Sequence, residues 1–260
     1  MKTLVDVAQN AAHKAAEIIR DGAQGVLDVQ HKGAIDLVTQ VDLAAEAAIR
    51  EYLQQHTPDI PILAEEGGGP WDAANRWIVD PLDGTTNFVH GYPSYAVSIG
   101  LQIDGQLEVG CVFDAVNGRP YTATRGGGAW CGDQRLSVSS CAALEHALLV
   151  TGFPYDRRTH VDRYLNYVRT FLVRVQGLRR AGAAAMDFVA LASGQVDGYW
   201  EFGLNPWDIA AGVLLVQEAG GTVSDMEGGT LNLQSPRLLA TNGVLHAEMS
   251  EILRGLLSSE

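Results

Sequence analysis

Two aspartates three positions apart, Asp80 and Asp83, stand in the stretch Trp77-Ile78-Val79-Asp80-Pro81-Leu82-Asp83-Gly84-Thr85-Thr86-Asn87-Phe88. Pro81 fixes one backbone dihedral between them and Gly84 permits a sharp bend directly after, so both carboxylates can converge on one point. Two such anions about 4 Å apart repel by roughly 4 kcal/mol at an effective dielectric near 20, so a converging pair calls for a cation or a shared proton. Hard oxygen donors favour Mg2+ or Mn2+ over zinc. The competing reading makes both residues turn formers. Gly84-Thr85-Thr86-Asn87 then offers consecutive backbone N–H groups and two hydroxyls, the materials of an anion cradle at a turn or helix N-terminus.

The elements that must position these groups can be read from periodicity. Trp77-Ile78-Val79 predicts a buried strand that stops at the acidic turn. Leu4, Val7, Ala8, Ala11, Ala15, Ile18 and Ile19 recur at helical spacing and predict an amphipathic helix over 3–20. The segment near Val26 to His31 reads as extended, and a second helix runs from Leu43 to about Gln55, with Asp42 where an N-cap belongs. Ile60 to Ala64 reads as a strand followed by Glu65 and Glu66, the latter a solvated loop residue. Tyr95 to Ile103 alternates with period two, Asp104-Gly105 gives a hairpin signal, Leu107 to Val112 returns, and Arg119 to Thr124 follows Asn117-Gly118. Arg125-Gly126-Gly127-Gly128 lacks the spacing of a nucleotide loop and reads as a turn.

From about Ala147 strands alternate with helices: strands at 147–150, 196–202, 222–224 and 238–240, helices at 160–173, 183–192, 206–219 and 244–257. A single unit over 1–260 is expected, with a soft boundary near 145–150 between an α+β first part and an α/β second part.

Asp80-Pro81-Leu82-Asp83-Gly84-Thr85-Thr86-Asn87-Phe88 resembles the signature of the inositol monophosphatase family, and Pro206-Trp207-Asp208-Ile209-Ala210-Ala211-Gly212 resembles its C-terminal motif. The similarity of pattern runs from about Ala8 to the final helix. The resemblance implies an α+β fold, a layered αβαβα sandwich shared with fructose-1,6-bisphosphatase. It implies a magnesium-dependent, lithium-sensitive phosphatase that hydrolyses inositol 1-phosphate or a related small sugar or polyol phosphate by in-line attack of metal-activated water. Two or three Mg2+ ions, with Mn2+ as substitute, would be held by Glu65, Asp80, the Leu82 carbonyl, Asp83 and Asp208. Glu65 and Thr85 would activate water, with Asp42 orienting Thr85. Gly84 and Thr85 would hold the phosphate, and Gly182, Ala183, Ala184, Glu201 and Asp208 would contact the rest of the substrate. Arg179 and Arg180 precede that loop and would either approach the substrate or a homodimer interface or lie solvated on the surface, Arg179 being counted with the substrate contacts. Asn205 lies where animal relatives carry histidine, a departure that bears on inositol specificity.

Composition agrees with a metal-assisted site. The 260-residue chain carries a formal charge of −13 and is 47% hydrophobic, ample for a core. It has no block of Lys and Arg to suit nucleic acid or anionic membrane, so neither is an expected direct partner. An acidic protein that binds a phosphate monoester needs local positive charge, which a divalent ion supplies. No secretory leader and no long apolar run is evident, so the cytoplasm is the expected location. Cys111, Cys131 and Cys141 are odd in number and read as reduced thiols.

A haloacid-dehalogenase-type phosphatase is excluded, because it needs an aspartate two positions before Asp83, where Pro81 stands. Two alternatives remain beside the main reading. A fructose-1,6-bisphosphatase or 3′-phosphonucleotide phosphatase of the same fold would use the same ligands. A mainly protein-binding, transcription-associated role is the other.

Overall fold

The computed structural model describes residues 3–25, 28–31, 37–234 and 236–258. Helix α1, Leu4–Gly22, opens with a capping box in which Thr3 and Asp6 satisfy each other's backbone N–H groups. Its buried positions, Val7, Ala8, Ala11, Ala12, Ala15, Ala16 and Ile19, are mostly alanine, which permits close approach to its neighbours. Strands β1, Val29–His31, and β2, Leu37–Thr39, pair antiparallel. The part of the predicted extended segment at Val26 and Leu27 lies outside the described residues.

Helix α2 spans Gln40–His56, starting earlier than the periodicity suggested. Thr39 is its N-cap, and Asp42 sits three residues on, where its carboxylate receives the Thr39 N–H. The expected N-cap role for Asp42 is therefore corrected: a capping box begins at Thr39, one turn before the first apolar position that flagged the helix.

Seven strands follow: β3 Ile62–Ala64, β4 Arg76–Asp83, β5 Ala96–Ile103, β6 Gln106–Asp114, β7 Arg119–Thr124, β8 Gly128–Cys131 and β9 Gln134–Arg135. They form one sheet in chain order, with β3 and β4 parallel and the other neighbours antiparallel. Short helix α3, Thr85–Val89, follows β4. The chain then builds β10 Leu148–Thr151, α4 Val161–Leu172, β11 Gly177–Arg179, α5 Ala184–Ala192, β12 Gly198–Phe202, α6 Pro206–Glu218, β13 Thr222–Asp225, β14 Arg237–Thr241 and α7 His246–Leu257. Their strands form a second sheet of order β11-β10-β12-β14-β13. The brief β11 carried too few residues to register as a period.

Successive residues of a strand face opposite sides, so a run that is apolar throughout belongs between two layers. Trp77 packs toward α1 and α2, and its neighbour Ile78 packs toward α5 and α6. In the second sheet Tyr199 faces α5, while Trp200 joins Phe171 of α4 and Leu253 of α7. The order of layers is thus α1/α2, seven-stranded sheet, α5/α6, five-stranded sheet, α4/α7: an αβαβα α+β sandwich. Strand β5 is buried along nearly its whole length because helices cover both sides.

Candidate active site

Strand β4 does not stop at Asp80. Asp80 pairs with Ser98 and Asp83 pairs with Ala96, so three steps on β4 oppose two on β5, and the extra residue makes a bulge. Pro81, which has no N–H for the ladder, is tolerated there. The Leu82 N–H turns back to donate to Asp80 Oδ1 at 2.9 Å. Gly84 then adopts φ 88°, and a Cβ on it would lie 2.9 Å from the Ser94 carbonyl oxygen, so the turn into α3 requires glycine. The first-turn N–H groups of α3 have no partner within the helix. Bulge, left-handed glycine and helix start lie within five residues, which brings Asp80, Leu82, Asp83 and the α3 N-terminus to one place.

The groups behind this turn fix its side chains. Thr85 donates its hydroxyl proton to Asp42 Oδ1 at 2.9 Å, with the Leu82 carbonyl as second acceptor at 3.1 Å. Asp42 Oδ2 is occupied by the Thr39 N–H and hydroxyl. Burial raises the Asp42 carboxyl, opposed by its bonds to Thr39 and Thr85. Asp208, in the first turn of α6 after Pro206, accepts the Asn205 N–H at 2.7 Å through Oδ2. Asp83 receives the N–H of Ala185 at 2.7 Å and that of Ala184 at 3.3 Å, placing a carboxylate at the positive end of α5. That bond ties the first motif to a helix 101 residues away and was not visible in the spacing.

These elements enclose a cleft of about 370 Å3. Glu65, Asp80, Leu82, Asp83, Gly84 and Thr85 line it together with Gly182, Ala183, Ala184, Glu201 and Asp208. Asp42 stands behind Thr85. Arg179 is not brought there: it ends β11 exposed and lines a separate hollow with Asp114 and Asp187, whereas its neighbour Arg180 lines the cleft. Adjacent residues at a strand end diverge, so of the two arginines only the second lines the cleft.

The cleft is strongly acidic. Burial pushes the Asp80 carboxyl well above its usual range, and the charges of Glu65, Asp83 and Asp208 add to the effect. Burial likewise raises Asp208 well above the ordinary value, with Glu65 adding to it. Asp83 is pushed up to about 7 by burial, against the Ala185 N–H and with Glu201 and Glu65. Glu201 is also pushed to about 7 by burial, although Tyr199 donates its O–H to Oε2 at 2.6 Å and Arg180 lies near. Asp187, which the sequence reading did not single out, is buried against Glu201 and Asp83 and is raised well above the usual range, chiefly by desolvation. A lone aspartate one turn into an apolar helix gives no local signal of such neighbours.

Like charges so placed call for a cation. The donors are all oxygen, four carboxylates and the Leu82 carbonyl, which fits a hard divalent ion and not zinc. Among the described residues no three acidic, His or Cys side chains are closed into a ligand cage. They face a common space and act on one another electrostatically, so the fit rests on the kind and number of donors.

The sequence profile of the inositol monophosphatase family matches residues 1–258. The chain belongs to the inositol monophosphatase family. Inositol-1-monophosphatase of Synechocystis sp. is 44% identical over 258 residues, covering 97% of this chain and 89% of that protein. The Nus factor SuhB of Pseudomonas aeruginosa is 45% identical over 250 residues, covering 93% of this chain and 92% of its own. The solved inositol monophosphatase from Anabaena superposes with a TM-score of 0.89 at 39% identity, covering 99% of this chain and 98% of that one. Membership in the inositol monophosphatase family makes the chain a phosphatase, and the layered sandwich above is the fold it shares with these relatives.

Proposed function

We propose that this phosphatase hydrolyses inositol 1-phosphate or a related small sugar or polyol phosphate with Mg2+ as cofactor. The observation that carries the reading is the gathering of Glu65, Asp80, Leu82, Asp83 and Asp208 around one cleft, beside the first turn of α3. Those residues would hold two or three Mg2+ ions, with Mn2+ as a substitute. When bound, the metal acidifies water and offsets the charge of the phosphoryl oxygens and the leaving alkoxide.

The protein's own groups do the positioning. The first-turn N–H groups of Gly84 and Thr85 donate to phosphate oxygens. Thr85, having given its proton to Asp42, presents a lone pair that accepts from the attacking water and fixes its direction. Asp42 acts through Thr85 and is a positioning residue. Glu65 is the carboxylate that takes the proton from that water. Glu201, which lines the same cleft as Gly182, Ala183, Ala184 and Asp208, accepts from substrate hydroxyls. Gly152 makes room for it, since a Cβ there would lie 2.0 Å from Glu201 Oε1.

Lithium inhibition, homodimer formation and a cytoplasmic location belong to the same proposal. Among the described residues no helix is long and apolar enough to cross a membrane. The full set of oxygen donors in the cleft favours catalysis over a role confined to protein binding. Calorimetric titration with Mg2+ tests the metal assignment: the wild type should bind the ion, and Asp80→Asn should weaken binding at least ten-fold. Equal binding by both proteins would overturn it.

A further inference from the structure

Helix α2 presents one face to two different turns of the cleft. Asp42 and Glu46 lie one helical turn apart on the same side, and both are buried. Asp42 holds the Thr85 hydroxyl. Glu46 reaches the turn that follows β3 and carries Glu65: its Oε2 accepts the Glu66 N–H at 2.8 Å and its Oε1 accepts the Gly67 N–H at 2.9 Å. Arg50, a further turn along α2, donates through Nε to Glu46 Oε1 at 2.7 Å and through Nη2 to the Gly68 carbonyl at 2.7 Å. Three consecutive residues after Glu65 are thus tied to one buried ion pair.

The stem of the turn is closed by backbone bonds, Ala64 N–H to the Gly68 carbonyl and Glu65 N–H to the Val79 carbonyl, each at 3.1 Å. Glu46 and Arg50 complete it from the helix side. Gly67 keeps an ordinary φ, and a Cβ on it would lie 2.6 Å from Glu46 Oε1, so this glycine makes room for the carboxylate and is not there for its own backbone angle. Burying a carboxylate is costly unless it is fully hydrogen-bonded, and here two N–H groups and a guanidinium meet that need. Asp80, Asp83 and Asp208 stand on a strand or a helix, which fixes their backbones, whereas Glu65 stands on a turn. A carboxylate that takes a proton from water needs a backbone held as firmly as theirs, because a small misplacement costs much of the rate.

We propose that Glu46, supported by Arg50, is a positioning residue for Glu65, so that one face of α2 aligns both groups that act on the attacking water: Thr85 through Asp42 and Glu65 through Glu46. This rests on the role given to Glu65 above and deepens it. Glu46 touches neither substrate nor metal and acts only through the turn.

A double-mutant cycle with Glu65, read by Mg2+ calorimetry and by turnover of inositol 1-phosphate, tests this. Glu46→Gln keeps the size of the side chain, but its one acceptor oxygen cannot serve both sides of the turn and its NH2 group meets another donor. It should weaken Mg2+ binding and lower kcat about ten-fold each, with KM changed by less than about two-fold. In a Glu65→Gln background the same change should alter Mg2+ binding and kcat by less than about two-fold, because the group through which it acts has gone. Gly67→Ala displaces the carboxylate from the loop side and leaves α2 intact; it should reproduce both results and add nothing to Glu46→Gln. In metal-free protein the amides at positions 66 and 67 should exchange with solvent at least about ten-fold faster in either variant, with the α2 amides as in the wild type. Losses that persist in full in the Glu65→Gln background, or unchanged exchange at 66 and 67, would overturn the proposal. A wild type that binds Mg2+ and hydrolyses no inositol 1-phosphate would count against the proposed substrate alone, since the calorimetric cycle still decides what Glu46 does.

Discussion

Replacing Asp83 with asparagine should change the way stability depends on pH. In the fold this carboxyl is pushed from 3.8 to about 7, first by burial and then by Glu201 and Glu65. Between about pH 4 and about pH 7 the native, metal-free protein holds a proton that the unfolded chain has released, so stability falls as pH rises through that window. A shift from 3.8 to about 7 is roughly three units, or on the order of 4 kcal/mol for this one group. For a chain of 260 residues that corresponds to about 10 °C in melting temperature. Asparagine carries no charge at any of these pH values, and its amide oxygen can still accept the Ala185 N–H. Losing the Asp83 anion also relieves Asp80, whose carboxyl it raises. Thermal unfolding in EDTA at pH 5, 6, 7 and 8 samples about two of those three units, roughly 3 kcal/mol, and should show the wild type falling steeply and Asp83→Asn falling by about 6 °C less. Saturating Mg2+ should restore the wild type most at pH 8, where the repulsion is greatest. A wild type that grows more stable from pH 5 to pH 8 without metal, or a variant with an unchanged slope, would refute the reasoning.

Other expectations concern single contacts. Thr85→Ala removes the hydroxyl that bonds Asp42 and should lower kcat about 10²- to 10³-fold with a melting temperature within a few degrees of wild type; unchanged kcat would remove Thr85 from the water-directing role. Tyr199→Phe deletes the 2.6 Å bond that holds Glu201 and should raise KM for inositol 1-phosphate about ten-fold, sparing p-nitrophenyl phosphate, which has no hydroxyl for Glu201; equal effects on both would show a general structural role. Phe188→Ala empties a fully buried position between the sheets, where the ring meets Tyr199 edge-on, and should cost about 3–5 kcal/mol in urea unfolding; a loss below about 1 kcal/mol would contradict the packing.

Much of the site was legible because its parts are close in sequence. Asp80, Leu82, Asp83, Gly84 and Thr85 come from one bulge, glycine and helix start, so their types and order nearly determine their geometry. The layers were legible for a related reason: runs such as Trp77-Ile78-Val79 are apolar on both faces, which marks a sheet between helices. The missed features are non-local or depend on a one-residue difference. Pairing with β5 carries β4 through Pro81, and nothing in the turn residues themselves shows that partner. The bonds from Asp83 to Ala184 and Ala185 and the burial of Asp187 beside Glu201 arise only when the α5/α6 layer docks. Arg179 and Arg180 look equivalent in the chain, and only the end of β11 separates their directions. Thr39 was overlooked as a cap because Asp42, three residues later, is an equally good cap by type.

The central claim is that the gathered carboxylates serve a magnesium-dependent phosphomonoesterase. Phosphate release from inositol 1-phosphate should be measured with Mg2+ and with EDTA, using wild type and Asp208→Asn, whose carboxylate lines the cleft from α6. Turnover by the wild type that requires Mg2+ and drops at least 10²-fold in the variant is the expected result. Metal-independent turnover, or full activity in a folded Asp208→Asn protein, would contradict the account.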